Sequence, residues 1–247
     1  MAVTGINRLE SAGYVNVLRD LVRSHTCPFW WYDDRAEVGS SILHNGTVTF
    51  VNTGSRVLGI TANHVYEQYL KDKAQSPDTR CQFGSITVEP ERYVISAEPN
   101  LDIVTFDLPV VLATATGVTT HNAGVWPPEE LRTSDLVILG GYPGTRRSER
   151  SGTADFDFVT FISRVSQCSH DHIAVYLNMP ESHWPQGESI GSGPDLGGAS
   201  GGPVFRLRTD PIETIEFAGM IYESSQEFEL IFARHASHVC SDGMVRP

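Results

Sequence analysis

The chain has 247 residues, 40% of them hydrophobic and 19% charged, which supplies enough apolar material for a core and excludes a disordered chain. The formal net charge of −12 argues against a nucleic-acid partner, because such binding uses clustered lysine and arginine to neutralise phosphates. No apolar run reaches the roughly 18 residues of a membrane helix, and the first residues lack a secretory signal pattern, so we predict a cytoplasmic protein with no membrane partner.

An amphipathic helix is predicted near the N-terminus, where residues 6–22 place apolar side chains close to a 3.6-residue period. From about Val38 onward the chain consists of short runs rich in β-branched and aromatic residues, separated by Gly, Asn, Asp and Pro. We predict strands at 38–44, 47–53, 56–62, 92–96, 102–108, 135–140, 156–165, 172–178, 203–207, 215–222 and 228–234. No long helical pattern alternates with these runs, which favours an all-β protein with antiparallel sheets.

The most glycine-rich stretch runs from Gly187 to Gly198 (GESIGSGPDLGG). A linker at this point would divide the chain, but strands resume directly after it, so a functional loop is the better interpretation. We expect this loop to become ordered when a substrate or a partner binds.

The first of three candidate catalytic motifs is Thr61-Ala62-Asn63-His64, in which an apolar strand ends at a histidine. A histidine at the end of a buried strand has a fixed orientation, as a general base requires.

The second motif is Asp102, at the start of an apolar strand. Burying a carboxylate is costly unless it is paired, and an imidazole N–H would serve as the partner; capping of a turn is the alternative.

The third motif is the serine-containing segment Gly198-Ala199-Ser200-Gly201-Gly202-Pro203. Glycines around a serine permit tight backbone conformations and leave the hydroxyl exposed, and the N–H groups of Gly198 and Ser200 can converge on a developing oxyanion. The order His, Asp, Ser differs from the order in α/β-hydrolases and subtilisins, so it discriminates between classes of triad enzyme.

Together the three motifs resemble the hallmarks of the chymotrypsin-like (trypsin-like) serine proteases: T-A-x-H, an aspartate entering an apolar strand, and G-x-S-G-G-P. The resemblance covers residues 36–236. The sequence VILGGYPG at 137–144 is also similar to a strand and turn of bacterial trypsin-like peptidases, so a bacterial origin is expected.

The resemblance implies a double antiparallel β-barrel. Residues 1–35 would form the N-terminal helix and lead-in, 36–125 the first barrel and 126–247 the second barrel of one protease domain. It also implies a catalytic triad in which Ser200 is the nucleophile, His64 is the general base and Asp102 orients the histidine. The N–H groups of Gly198 and Ser200 would form the oxyanion hole.

The chain departs from the family pattern immediately before the serine. Digestive members become active when a new N-terminal amine pairs with an aspartate at this position, and Ala199 cannot form that ion pair.

Trypsins also carry an acidic residue six positions before the serine, where this chain has Pro194, followed by Asp195. Asp195 either lines the primary specificity pocket or is a solvated loop residue.

Other candidate substrate contacts are Tyr222, Glu223 and Ser224, in a segment similar to the family strand that holds the substrate backbone.

The predicted function is that of a serine endopeptidase, with a protein or peptide substrate, no cofactor and an activating protein as a further partner. The alternatives are a catalytically inactive protease-fold binding or regulatory module and an esterase that uses the same triad.

No metal site is predicted. The four cysteines lack CxxC spacing, which disfavours a zinc site and a disulfide framework. His170 and His172 stand at positions i and i+2, which lie on opposite faces of an extended chain, so a turn before the next strand is the preferred interpretation of this segment.

Overall fold

A computed structural model describes residues 12–35, 43–150, 153–177, 195–208, 213–225 and 227–247. The first six residues of the predicted N-terminal helix, most of the predicted strand 38–44 and most of the glycine-rich segment 187–198 lie outside these described residues.

The described residues form three α-helices and sixteen strands. The helices are α1 (Ala12–Arg23), α2 (Asn63–Gln75) and α3 (Val110–Ala115). The strands are β1 (Thr26–Asp33), β2 (His44–Asn52), β3 (Val57–Ala62), β4 (Thr79–Phe83), β5 (Ile86–Val88), β6 (Val94–Glu98), β7 (Ile103–Asp107), β8 (His121–Asn122), β9 (Leu136–Gly141), β10 (Arg147–Arg150), β11 (Thr153–Phe156), β12 (Val159–Cys168), β13 (Ile173–Tyr176), β14 (Pro203–Arg208), β15 (Thr214–Ser225) and β16 (Leu230–His235).

The N-terminal half is a sheet with the strand order β5-β4-β1-β2-β3-β7-β6, in which each neighbouring pair is antiparallel. The short strand β8 adds to β2 in parallel. Fully buried rings fill this half, with the ring centroids of Phe29 and Phe83 5.0 Å apart and those of Phe83 and Phe106 5.8 Å apart. Edge-to-face aromatic pairs of this kind add to the free energy of burial.

The C-terminal half is a closed antiparallel barrel with the strand order β12-β13-β16-β15-β14-β9. Burial alternates along β16 as expected for a barrel strand. Ile231, Ala233 and His235 point into the barrel, whereas the residues between them are partly exposed. The hairpin β10–β11 lies outside the barrel. The curled first sheet and the closed second barrel confirm the predicted all-β, double-barrel fold.

Helix α1 confirms the described part of the predicted amphipathic helix. Val15, Leu18 and Val22 are buried at helical spacing, whereas Val17 and Leu21 are exposed. The buried face packs against β1 and β9, so the helix contacts both halves of the molecule. None of the helices in the described ranges combines the length and the apolar character required to cross a bilayer.

Six strands are absent from the sequence prediction, namely β1, β4, β5, β8, β10 and β11, the last of which shares only Phe156 with a predicted strand. Strand β1 has the sequence TCPFWWYD and pairs with both β2 and β4. Its first four residues are all buried, so it lacks the alternation of polar and apolar residues by which a strand is recognised. Pro28 further lowers its apparent strand character.

Candidate active site

His64 lies in the first turn of helix α2, directly after strand β3. The sequence predicted a histidine at the end of a strand; the strand ends at Ala62 and the helix begins at Asn63, so His64 is the second helical residue. Ala62 occupies the N-cap position and has no side chain able to accept the free N–H groups of the first helical turn. Those N–H groups therefore require acceptors from another part of the chain.

Asp102 supplies these acceptors. Its carboxylate oxygen Oδ1 accepts the backbone N–H of His64 at 2.7 Å, and its carbonyl oxygen accepts the backbone N–H of Asn63 at 3.1 Å. The other carboxylate oxygen, Oδ2, lies 2.7 Å from Nδ1 of the His64 ring. The negative charge also interacts favourably with the positive end of the helix dipole. One side chain thus caps the helix and orients the imidazole.

The backbone of Asp102 has an unusual conformation, with φ of +54°. Aspartate is one of the few residues other than glycine that adopts this left-handed region at moderate cost. The N–H of Asp102 donates to the carbonyl oxygen of Pro99 at 3.2 Å, which closes a turn immediately before strand β7. The turn directs the carboxylate away from the strand and toward α2.

The pairing with Asp102 determines the tautomer of His64. A carboxylate can only accept, so Nδ1 carries the hydrogen, and in the neutral ring Nε2 is left with the lone pair. The His64 side chain is 52% exposed and the Asp102 side chain 18% exposed. The basic nitrogen therefore belongs to an accessible imidazole, and the carboxylate that orients it is largely shielded from water.

Ser200 lies in a tight turn just before β14, and this turn is hydrogen-bonded to the first sheet. The N–H of Ala199 donates to the carbonyl oxygen of Leu196, and the N–H of Gly202 donates to the carbonyl oxygen of Ala199, both at 2.8 Å. From the first sheet, the N–H of Thr47 donates to the carbonyl oxygen of Ser200 at 2.8 Å. These bonds hold the backbone of Ser200 against strand β2.

Gly201 shows why the turn needs glycine. Its φ is +91°, and a Cβ at this position would overlap the carbonyl oxygen of Thr47 and the hydroxyl of Thr61. Any side chain would therefore push the serine turn away from the first sheet.

Two peptide planes beside Ser200 are held through their carbonyl oxygens. The carbonyl oxygen of Gly197 accepts the N–H of Gly144 at 2.6 Å, and the carbonyl oxygen of Ala199 accepts the N–H of Gly202. In a trans peptide the N–H points opposite to the carbonyl, so the N–H groups of Gly198 and Ser200 point away from these partners. Among the described residues, neither of these two N–H groups has an acceptor.

Ser200 and His64 share one open cleft of about 440 Å³. The lining residues are His64, Pro99, Asn100, Asp102, Ser200, Tyr222, Glu223, Ser224 and Arg234. The Ser200 hydroxyl donates to the carbonyl oxygen of Tyr222 at 3.2 Å, and within the described ranges no hydrogen bond joins it to His64. The cleft therefore contains all three predicted catalytic residues and the three candidate substrate contacts.

Asp195 is placed differently from the other candidate residues. Its carboxylate accepts the N–H of Gly197 at 2.9 Å, and its carbonyl oxygen accepts the hydroxyl of Thr145 at 3.0 Å. It is exposed and does not line the described cleft. In this position Asp195 stabilises the turn that leads to Gly198.

Arg234 is a residue of the cleft that the sequence analysis missed. Its Nε donates to the carbonyl oxygen of Leu101 at 2.8 Å, and its Nη2 lies 3.4 Å from the carbonyl oxygen of Asn100. The guanidinium carbon lies 4.2 Å from the centroid of the Tyr222 ring. Burial raises the pKa of Tyr222, and the positive charge of Arg234 acts against that rise. No local pattern marks this arginine, because its hydrogen-bond partners Leu101 and Asn100 lie more than 100 residues away in the chain.

Comparison with known proteins supports the fold. No protein-family model matches the chain. A search of curated proteins also finds no match. Among solved structures, the chain is similar to a thermostable serine protease, AL20, from an extremophilic microorganism, with a TM-score of 0.50 at 10% identity over 87% of this chain and 92% of that chain. The serine protease domain of the Sesbania mosaic virus polyprotein also matches, with a TM-score of 0.46 at 13% identity over 90% of this chain and all of that chain.

The architecture and the first of these likenesses define the class: the chain has the fold of the chymotrypsin-like serine proteases. At 10% identity this likeness concerns the fold alone. A function must therefore be argued from the residues of the cleft.

Proposed function

We propose that this protein is a serine endopeptidase. The observation that carries the proposal is that the Asp102 carboxylate holds the His64 imidazole at 2.7 Å in a cleft that also contains Ser200. Aspartate, histidine and serine in this relation form the triad that activates a hydroxyl for attack on a carbonyl.

Each residue has a distinct role in the proposed reaction. Rotation of the Ser200 side chain away from Tyr222 brings its hydroxyl to His64, where Nε2 removes the proton as Oγ attacks the peptide carbonyl. Asp102 holds the required tautomer and stabilises the imidazolium that forms. His64 then gives the proton to the leaving amine, and water hydrolyses the acyl-enzyme by the same steps.

The N–H groups of Gly198 and Ser200 are the proposed oxyanion hole. Both N–H groups are held by bonds to the opposite side of their peptide planes, so little reorganisation is needed when negative charge develops on the substrate oxygen. Donors that are already in place before the reaction are the most effective stabilisers of a transition state.

The backbone of β15 favours a polypeptide over a small ester as substrate. Strand β14 pairs with β15 only as far as Met220, whereas β16 pairs with it as far as Ser225. Among the described strands, the segment Glu223–Ser225 therefore pairs on one side only, and Tyr222 lies at a bulge just before it. Tyr222, Glu223 and Ser224 line the cleft. An unpaired strand edge beside the nucleophile can bind an extended peptide through backbone hydrogen bonds.

The proposed function is tested by labelling the protein with a fluorophosphonate probe and by measuring its cleavage of a mixed peptide library. We expect the parent protein to be labelled at Ser200 and to cleave peptides. Ser200→Ala and His64→Ala should each lower turnover by about 10⁴ to 10⁶-fold, because triad residues act as a unit.

The matched control is Ser148→Ala, at an exposed serine on β10. It should retain both labelling and turnover. Near-parental activity of Ser200→Ala would refute the assignment. Labelling of Ser200 together with ester hydrolysis but no peptide cleavage would indicate an esterase instead.

A further inference from the structure

Three potential metal ligands meet on the second barrel, apart from the catalytic cleft. His170 and Asp171 lie in the turn between β12 and β13, and His238 lies in the short helical turn that follows β16. One ligand atom from each of the three side chains lies within 4.8 Å of the others. In the sequence His170 stands close to His172, whereas His238 is 68 residues away.

His238 is a buried imidazole surrounded by acceptors. Only 3% of the residue is exposed; Nδ1 lies 3.0 Å from the carbonyl oxygen of Arg246 and Nε2 lies 3.1 Å from the carbonyl oxygen of His170. A neutral imidazole has one N–H, so it can donate to only one of these two oxygens. The other nitrogen then directs its lone pair at a carbonyl oxygen, unless that nitrogen carries a second proton or binds a cation.

The exposed ring of His170 lies beside a carboxylate. Its Nδ1 lies 3.3 Å from Oε1 of Glu130, which leaves Nε2 available as a ligand. Metal-binding histidines commonly donate their second ring N–H to a carboxylate, which fixes the ring and makes the ligand nitrogen more basic. The His170 and His238 ring centroids are 5.1 Å apart.

The turn that carries His170 and Asp171 is held by bonds at both ends. The N–H of Ser169 donates to the carbonyl oxygen of His172 at 2.9 Å, and Nη1 of Arg234 donates to the carbonyl oxygen of Asp171 at 2.8 Å. The backbone positions of the two ligands are therefore set before any ion binds, so binding orders only the exposed side chains.

We propose that His170, Asp171 and His238 bind a zinc ion. Two imidazoles and one carboxylate match the donor atoms that zinc prefers, whereas magnesium and calcium prefer oxygen ligands. Ligand atoms on a tetrahedral zinc are about 3.3 Å apart for bonds of about 2.0–2.1 Å. Rotation of the exposed His170 and Asp171 side chains about their own bonds would bring their ligand atoms to that separation from the ligand nitrogen of the buried His238. Water or the nearby carbonyl oxygen of His170 completes the four ligands.

Zinc binding is measured by isothermal titration calorimetry on chelator-treated full-length protein. His64→Ala serves as the background, because the catalytic imidazole and its carboxylate could also bind zinc. We expect one site, whose affinity falls at least 10-fold in Asp171→Asn and in His170→Gln. The matched control, His172→Gln, changes the same turn without changing a ligand and should retain the affinity.

Thermal unfolding supplies a second readout, because an ion that binds only the folded state raises the unfolding temperature. Zinc should stabilise the His64→Ala protein and the His172→Gln control, but should stabilise the ligand variants less. Absence of binding in the background protein, or equal affinity in Asp171→Asn, His170→Gln and the control, would overturn the proposal. Neither result bears on the proposed peptidase, because His64 is absent throughout.

Discussion

Asp102 performs two tasks with two oxygens. Oδ1 accepts the N–H of His64 at the start of α2, and Oδ2 accepts the N–H of the His64 ring. The sequence left open that Asp102 caps a turn before its own strand; its carboxylate instead caps helix α2 and pairs with the imidazole at the same time. The helix that is capped belongs to a segment 38 residues earlier in the chain.

Two substitutions of Asp102 should separate its effects on activity and on stability. Asp102→Asn retains an oxygen that can cap α2, but its amide group no longer holds the required tautomer of His64, so kcat should fall by about 10⁴-fold while stability changes little. Asp102→Ala should lose similar activity and about 1 kcal/mol of stability, because the N–H of His64 loses its acceptor. Peptide-cleavage kinetics and urea unfolding measure the two effects; equal stability of both variants would contradict the capping role.

Strand β2 is the element that positions the serine turn. The Thr47 hydroxyl donates to the carbonyl oxygen of Gly198 at 2.9 Å and accepts the N–H of Tyr142 at 3.0 Å. The Thr49 hydroxyl donates to the carbonyl oxygen of Gly201 at 2.8 Å. Both threonines are fully buried, so a strand of the first sheet supplies buried hydrogen bonds to the turn that carries Ser200.

Thr47→Val tests this role of β2, because valine matches threonine in shape but lacks the hydroxyl. The backbone groups of Gly198 and Tyr142 would lose a buried partner, so we expect a loss of about 1–3 kcal/mol in unfolding free energy. We also expect slower fluorophosphonate labelling of Ser200, since the peptide that follows Gly198 is no longer held. Thr87→Val, at an exposed position on β5, is the control and should change neither measurement.

At the scale of the whole molecule, the two halves meet at a cluster of buried histidines and aromatic rings. The His121 ring lies 4.9 Å from the ring of Phe205 on β14 and 5.1 Å from the ring of His25, measured between centroids. Burial lowers the pKa of His121 to about 4, and the neighbouring His25 acts in the same direction. Burial also lowers the pKa of His25, although its bond to the carbonyl oxygen of Thr119 opposes this.

These shifts predict that the protein loses stability as the pH falls from about 6.5 toward 4. In that range the unfolded chain binds a proton at His121 and the folded protein does not, so protons favour unfolding. The contribution of His121 is roughly 3 kcal/mol over the full range. Urea unfolding at a series of pH values measures the slope. His121→Phe should flatten it relative to the parent protein, and an unchanged slope would be inconsistent with a neutral, buried His121.

Much of the second barrel could be predicted from sequence. Strand β14 was predicted at 203–207 and is observed at Pro203–Arg208, and β9 was predicted at 135–140 and is observed at Leu136–Gly141. In contrast, α2 was missed because its N-cap is Ala62 and its capping group comes from Asp102. The apolar spacing of Val65, Tyr66 and Tyr69 was the local signal that could have indicated the helix.

The sequence by itself determined the all-β class and the candidate residues Ser200, His64 and Asp102, because strand periodicity and glycine-rich turns are local properties of the chain. Only the tertiary structure decided that Asp102 bonds to His64, that Arg234 holds the residues before Asp102, and that His238 joins His170 and Asp171. These contacts join residues separated by 38 to 133 positions. Such pairings depend on how segments far apart in the chain pack together, and no local pattern encodes them.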